Sequence, residues 1–438
     1  MDIKEKAKQM KLAAPKLAAT AVEERNNALA LIAEELKKRF DEITVENEKD
    51  LKAAKEAGIS DAIIKRLKFG KDKLDSVVDG IEQLIKLPDP LGKITLNRDL
   101  DEGLNLKRIT CPIGVIGVIF EARPDALVQI SSLCIKSGNC AILKGGKETA
   151  NTNRILFSII YDMIVKAGLP KEAYAQAEQH NEINELLTCH EYVDLLIPRG
   201  SNAFVKYIMD NTKIPVMGHA DGICHIYIDD HCEACGKHDG KDIECPYVDM
   251  DPIIIDAKTQ YCAACNAVET LLVNRKVAEK ILPKLAKKLK AANVKIRGTK
   301  EVAEIIDVEE IADDDFKNEY LDLVIAIKIV GSVDEAIDHI NKYGSHHTDA
   351  IISNNENNIR KFEALVDSAG VYVNCSTRFA DGFRYGFGAE VGISTGKIHA
   401  RGPVGLEGLV TYKYCLEGHG QIVGDYASGK AQFKFKDL

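Results

Sequence analysis

Between residues 111 and 202 the chain repeats one arrangement: an apolar run, a short polar turn, then a helix-patterned stretch. Cys111 to Phe120 is nearly continuous in apolar residues, and Glu121-Ala-Arg-Pro-Asp125 and a helix over 126–137 follow it. Cys140 to Lys144 ends in Gly145-Gly146-Lys147-Glu148, and Asp194 to Pro198 ends in Arg199-Gly200-Ser201-Asn202. A strand without polar alternation is buried on both faces, which belongs to a parallel sheet covered by helices. The rhythm therefore demands a doubly wound α/β core. Ligands of such sheets bind at the carboxyl ends of the strands, where Lys144 to Lys147 and Arg199 to Asn202 lie. Gly145, Gly146, Gly200 and Ser201 let backbone approach a phosphate, and Lys144 and Lys147 add positive charge. Neither turn is the Gly-x-Gly-x-x-Gly dinucleotide fingerprint; together they favour a phosphorylated cofactor.

The rest of the chain is arranged around this core. Residues 4–87 read as helices, with Leu29, Ile32, Ala33 and Leu36 on one face, a C-cap at Gly58 and an N-cap at Ser60. Leu87 to Gly92 breaks them, and 93–110 alternates around Asp101-Glu102-Gly103 as a hairpin suited to assembly. Ile226 to Asp229 is another short strand; after a basic amphipathic helix over 278–292, residues 293–352 alternate strands and helices as a second α/β unit, with strands at 294–296, 321–330 and 350–352, and 371–374 is a late strand. Residues 376–408 read as a long loop with Arg378, Arg384 and Arg401, the kind of loop that is usually functional.

Composition narrows the function classes. At 438 residues the chain holds two or three domains. A net charge of -9 argues against a nucleic-acid partner. No apolar run approaches the ~20 residues of a membrane span, and the first residues lack a signal-peptide core, so a cytoplasmic location is expected. Twelve cysteines in such a compartment are expected as reduced thiols. Two stretches of cysteine stand out. Lys258 to Val273 passes through Cys262 and Cys265 before Leu271-Leu272-Val273, so the spacing predicts thiols near the end of an alanine-rich helix, held before a core strand. On spacing alone, small core hydrophobes are the slightly favoured reading of both thiols. Cys232, Cys235, His238 and Cys245, with His231, offer a structural metal only one paired ligand spacing, and a solvated insertion is the simpler reading.

Several runs carry a family resemblance along almost the whole chain: Gly114 to Pro124, Ser137 to Lys147, Ile197 to Asn202, Lys258 to Val273, His339 to Ile352, and 389–408. The chain resembles the aldehyde dehydrogenase superfamily. Cys-Asn-Ala-x-Glu-Thr-Leu-Leu and Tyr-Gly-Ser-His-His-Thr-Asp place it with the γ-glutamyl phosphate reductase branch. The resemblance implies an aldehyde-dehydrogenase-like α/β fold. It would have a Rossmann-like cofactor domain (1–92 and 111–249), an α/β catalytic domain (250–375), a loop returning to the cofactor domain (376–410), and a β oligomerisation element (93–110 and 411–438). It places the nucleophile on Cys265, with Cys262 its rival. It places cofactor contacts on Lys144, Gly145, Gly146, Lys147, Gly200, Ser201 and Glu319. Lys147 stands where NAD-preferring relatives carry an acid, so NADPH is expected.

Two departures bear on chemistry. The general-base glutamate of hydrolytic relatives has no counterpart in Val216 to Gly222, so a thioester would not be hydrolysed. Ala122 replaces their oxyanion asparagine, which leaves the Cys265 N–H as candidate donor. The implied reaction is NADPH-dependent reduction of L-glutamyl 5-phosphate to glutamate 5-semialdehyde through a Cys265 thioester, the second step of proline synthesis. Lys258 or a backbone donor would lower the thiol's pKa, and Arg123, His219, Asn266 and Arg378 are candidate substrate contacts. A CoA-acylating or ordinary aldehyde dehydrogenase is the alternative enzyme; a metal-binding scaffold on an inactive fold is the alternative class. Homo-oligomer formation and channelling from a glutamate kinase are expected; a resident metal is not.

Overall fold

The computed structural model describes residues 2–179, 181–219, 221–232, 250–388 and 390–438. They form two compact units. The first comprises residues 1–217, 387–392 and 404–438, and the second 218–386 and 393–403.

The first unit opens with five helices: α1 (Ile3–Ala18), α2 (Val22–Lys38), α3 (Phe40–Glu56), α4 (Asp61–Leu67) and α5 (Lys71–Lys86). The one-face pattern in α2 buries Ala28, Leu29, Ile32, Ala33 and Leu36, and α5 buries Leu74, Val77, Val78, Ile81 and Leu84. Each large aliphatic side chain so buried stabilises the fold by roughly 1.5–3 kcal/mol before chain entropy is counted. Gly58 ends α3 at φ +69, and Ser60 is the N-cap of α4. β1 (Ile94–Asp101) and β2 (Leu104–Pro112) form the expected hairpin, turned at Gly103 with φ +71.

The apolar run over 111–120 is not one strand. Cys111 and Pro112 finish β2, and β3 runs only Val115–Phe120. Gly114 makes the break at φ +133, and a Cβ there would meet Asp194 Oδ2 at 2.2 Å. That carboxylate accepts the Val115 N–H (2.9 Å), while Asn139 Oδ1 accepts the Gly114 N–H (2.8 Å). Beyond β3 come α6 (Pro124–Lys136), β4 (Cys140–Gly145), α7 (Ala150–Lys166), β5 (Tyr174–Ala177), α8 (Asn181–Thr188), β6 (Leu195–Arg199) and α9 (Asn202–Asp210). The sheet is parallel, in order β5-β4-β3-β6.

The second unit is a seven-stranded parallel sheet. Its elements are β7 (Cys224–Ile228), α10 (Met250–Thr259), β8 (Val268–Asn274), α11 (Arg275–Ala291), β9 (Lys295–Gly298), α12 (Lys300–Ala303), β10 (Glu309–Glu310), β11 (Val324–Val330), α13 (Val333–Tyr343), β12 (Thr348–Ile352), α14 (Glu356–Leu365) and β13 (Gly370–Val373). The strand order is β10-β9-β11-β8-β7-β12-β13. Alternate residues serve opposite faces. Ile226, Leu271, Val273, Ala350 and Ile352 pack with α10 and α11 through Ile254, Ala257, Ile281 and Leu285. Tyr227, Leu272 and Ile351 pack with α13 and α14 through Ala336, Ile337, Ile340 and Phe362.

The division between units falls at 217/218 rather than at 249/250, because β7 pairs with β8 and β12 and so joins the second sheet. Residues 376–409 are less of a loop than expected. Short strands β14 (Gly392–Ser394) and β15 (Gly402–Val404) and two 3-10 turns interrupt them. The first unit closes with β16 (Val410–Glu417) on β2 and β17 (Lys436–Asp437) on β1.

Candidate functional site

In the first unit, turns follow β4 and β6 at the positions singled out in the sequence. Lys144 is the last residue but one of β4, with its side chain inward. It is 3% exposed, and Nζ donates to the Gly145 carbonyl (2.8 Å) and the Glu178 carbonyl (3.4 Å). Burial lowers its pKa, opposed by the charges of Glu182, Glu148 and Glu178. Gly146 leads into a 3-10 turn, Lys147–Thr149, on which Lys147 is exposed. Ser201 is the N-cap of α9, and its N–H (3.0 Å) and Oγ (3.3 Å) donate to Glu121 Oε2. A carboxylate thus rests on the amino end of this helix, as the unsatisfied N–H groups and helix dipole favour. Ala122 follows in the left-handed region (φ 49), with its N–H on Glu148 Oε1 (2.7 Å). Arg123 is exposed at the N-cap of α6.

The second unit carries the thiols, but not on a helix. α10 stops at Thr259 and β8 starts at Val268, so Cys262 and Cys265 ride on the turn between them, both half-buried. Alanine content favours a helix here, and tertiary bonds override it. Asn266 Nδ2 donates to the Ala380 carbonyl (2.8 Å), Thr377 Oγ1 to the Asn266 carbonyl (2.7 Å), and Cys224 Sγ to the Cys265 carbonyl (3.3 Å). Gly222 lies so close that a Cβ on it would meet the Cys265 carbonyl oxygen at 2.1 Å and Cα at 2.5 Å. Asn266 itself is 4% exposed, and its amide NH₂ holds the turn.

Lys258 has another task than activating the thiol. Its ammonium meets Glu269 Oε2 at 2.8 Å with both side chains fully buried. Burial pushes the Glu269 carboxyl up to about 7, against the pull of Lys258, and the charge of Glu319 adds a little to the rise. Glu319 is half-buried on the loop before β11.

The groups that do gather at Cys265 are two histidines and an arginine. One ligand-type atom from each of His219, Cys265 and His347 lies within 4.8 Å of the others. His219 Nδ1 is 2.8 Å from the Ile393 carbonyl, which can only accept, so this nitrogen carries the proton. His347 is fully buried immediately before β12, with Nδ1 3.0 Å from Thr348 Oγ1 and 3.7 Å from Cys224 Sγ. The two rings stand edge to face at 4.7 Å. Arg378 is 8% exposed, and its Nε donates to Gln260 Oε1 (2.9 Å). Burial and the Arg384 charge lower its pKa, opposed by the charges of Cys265, Asp381 and Asp256. This cluster sits at the amino ends of β7, β8 and β12, where Cys224 and Val268 are in register.

His347, Cys224 and Gly222 had no role in the sequence reading. For His347 the signal was present in Tyr343-Gly-Ser-His-His-Thr-Asp349, but two adjacent histidines give no clue to which turns inward. Of the metal candidates, Cys232 is buried in the apolar core of the second unit, and Cys235, His238 and Cys245 lie outside the described residues.

A model of the aldehyde dehydrogenase family matches residues 1–219. The gamma-glutamyl phosphate reductase of Acetivibrio thermocellus is 53% identical over 439 residues, covering 100% of this chain and 99% of that protein. Its counterpart from Ruminiclostridium cellulolyticum is 52% identical over 438 residues, covering 100% and 98%. The crystal structure of gamma-glutamyl phosphate reductase from Thermotoga maritima matches with a TM-score of 0.90 at 39% identity, covering 95% of this chain and 99% of that one.

Proposed function

The chain belongs to the gamma-glutamyl phosphate reductase family, with the aldehyde dehydrogenase fold and an oxidoreductase activity, and from that premise we propose that it reduces L-glutamyl 5-phosphate to L-glutamate 5-semialdehyde and phosphate in proline biosynthesis. The observation that carries the reading is the half-buried Cys265 thiol on a braced turn, facing two imidazoles and a buried guanidinium.

The Cys265 thiolate attacks the γ-acyl carbon, and the acyl–phosphate C–O bond breaks with its electron pair leaving on phosphate. The product is a thioester on Cys265, which divides one difficult displacement into two easier steps. His219 or His347 takes the thiol proton. Arg378 steadies the thiolate and attracts the anionic substrate. The Cys265 N–H faces the developing oxyanion. When bound, NADPH would supply hydride as the reducing equivalent for the thioester carbon, the C–S bond pair returning to the Cys265 sulfur. Lys144, Gly145, Gly146, Lys147, Gly200, Ser201 and Glu319 would hold it. The Glu121 carboxylate resting on Ser201 supports an anion site at α9, since a cofactor phosphate would take the same donors. Lys147 favours the 2′-phosphate of NADPH.

With no carboxylate in the place of the hydrolytic relatives' general-base glutamate, the thioester is passed to hydride instead of being hydrolysed. Phosphate dependence of the reverse reaction separates this reading from CoA-acylating chemistry. The exposed Tyr412, Tyr414 and Leu416 on β16 support assembly into at least a dimer through this four-stranded sheet. A cytoplasmic location and substrate transfer from a glutamate kinase complete the proposal.

The test is NADPH oxidation with glutamate, ATP and a glutamate kinase generating the substrate in place. Cys265→Ala should abolish turnover; activity retained in that variant overturns the assignment.

A further inference from the structure

The cluster at Cys265 has a second chemistry. A thiol sulfur and two imidazole nitrogens converge within 4.8 Å of one another. No side-chain carboxylate belongs to this set, and one sulfur with two nitrogens suits a borderline-soft divalent ion far better than magnesium or calcium. His347 is fully buried, and its Nε2 has no hydrogen-bond partner among the described residues. Its other nitrogen is already engaged by Thr348 Oγ1, an outer contact of the kind that fixes a ligating imidazole. His219 is held in the same way, with Nδ1 2.8 Å from the Ile393 carbonyl fixing the ring's orientation. Cys265 and His219 are half-buried, which leaves an ion a way in.

We propose that His219, Cys265 and His347 form a latent three-ligand site for Zn²⁺ or a similar ion, whose occupancy silences the enzyme. The silencing rests on Cys265 being the nucleophile; the binding does not. Zinc bonds of about 2.3 Å to sulfur and 2.0–2.1 Å to nitrogen set tetrahedral edges of roughly 3.3–3.6 Å, so the side chains draw together by up to about 1.5 Å. Nothing is oxidised: the S–H bond breaks, the sulfur–metal bond forms, and the proton goes to solvent. Three protein ligands leave the fourth position to water. Arg378 opposes a doubly charged ion here, which keeps the site reversible instead of permanently filled.

The test uses the full-length, metal-stripped protein titrated with Co²⁺. A thiolate-bound tetrahedral Co²⁺ shows sulfur-to-metal charge transfer in the near ultraviolet and intense visible bands. Cys265→Ser should remove one thiolate's share of the charge-transfer intensity. His219→Gln and His347→Gln, which keep the thiol and the turn, should each weaken that signal's apparent affinity tenfold or more. Cysteines elsewhere in the chain contribute equally to all proteins compared. An unchanged titration in Cys265→Ser, or in both histidine variants, overturns the site. In parallel, free Zn²⁺ set by a chelator buffer should inhibit turnover, and excess chelator should restore it. Co²⁺ binding that depends on Cys265, with turnover indifferent to Zn²⁺, overturns the silencing and counts against Cys265 as nucleophile while the site stands.

Discussion

Lys258→Met is the perturbation whose consequence can be worked furthest. Lys258 Nζ and Glu269 Oε2 are 2.8 Å apart and both side chains are fully buried. Removing one member of such a pair costs about 3–5 kcal/mol, because a charge is left without compensation. Glu269 has a way to soften that loss, since burial already holds its carboxyl at about 7 with Lys258 pulling it down. Without Lys258 the carboxyl rises further and stays protonated through the neutral range. In the unfolded chain it ionises near the usual 4.5. The folded state then binds a proton that the unfolded state does not, so stability is fully present below about 4.5 and drains as pH rises. The drain is about 1.4 kcal/mol per pH unit. In the wild type it ends near pH 7; in the variant it continues. The wild type still loses a few tenths of a kcal/mol between pH 7 and 8, so the deficit of Lys258→Met should be about 1 kcal/mol larger at pH 8 than at pH 7. Urea unfolding followed by circular dichroism, with linear extrapolation at both pH values, measures it. Lys258→Met with Glu269→Met should recover most of the loss, since a buried pair exchanged for apolar groups is close to neutral. A deficit that does not change with pH, or a double variant no better than the single one, refutes the reasoning. The pair ties the end of α10 to the start of β8, the two roots of the turn bearing Cys265, so turnover should fall with stability.

Three further substitutions probe neighbouring claims. Gly222→Ala places a Cβ 2.1 Å from the Cys265 carbonyl oxygen, against backbone that cannot swing aside. It should lower stability by about 1–3 kcal/mol and reduce turnover tenfold or more, read by thermal melting and NADPH oxidation; a wild-type rate counts against the turn being fixed. His339 is 5% exposed, and burial pushes its pKa down to about 2 from 6.5. Its neutral ring supports the fold above pH 6.5, and that support is lost at about 1.4 kcal/mol per unit as pH falls. His339→Leu should flatten this acid limb in urea unfolding between pH 6.5 and 5, and an unchanged slope refutes it. Lys147→Glu should reverse the preference for NADPH over NADH, compared as kcat/KM ratios; an unaltered ratio removes Lys147 from the 2′-phosphate site.

What the sequence could tell followed from the range of the forces involved. Burial on both faces writes itself into a strand as an unbroken apolar run, so the presence of β3, β4 and β6 is legible in the sequence. Their boundaries were not. The break at Gly114 depends on the Asp194 carboxylate and the Asn139 amide, groups that sequence proximity does not bring together. The turn at 260–267 is the sharper case. Ala263, Ala264 and Ala267 favour a helix locally, yet the groups that unmake it come from Thr377 and Ala380, 111 and 114 residues away, and from Cys224. The same distance hid His347. Its neighbour His346 stands at φ 59 with Nδ1 turned to the Asp367 carbonyl (2.6 Å), and this reversal sends His347 inward beside Cys224.

The turn in place of a helix has a chemical consequence. In a helix, Cys265 would present its side chain on a face fixed by the 3.6-residue period, and its carbonyl would be spent on the helical ladder. On the turn, the carbonyl is held by the Cys224 thiol and by close packing against Gly222, while the side chain remains half-buried toward His219 and His347. Backbone rigidity and side-chain access are thereby separated. Rigidity comes from Gly222, Cys224, Asn266 and the Lys258–Glu269 pair, none of which needs to touch substrate. A nucleophile that must accept an acyl group and then release it gains from that division, because the atoms that hold it still are not the atoms that react.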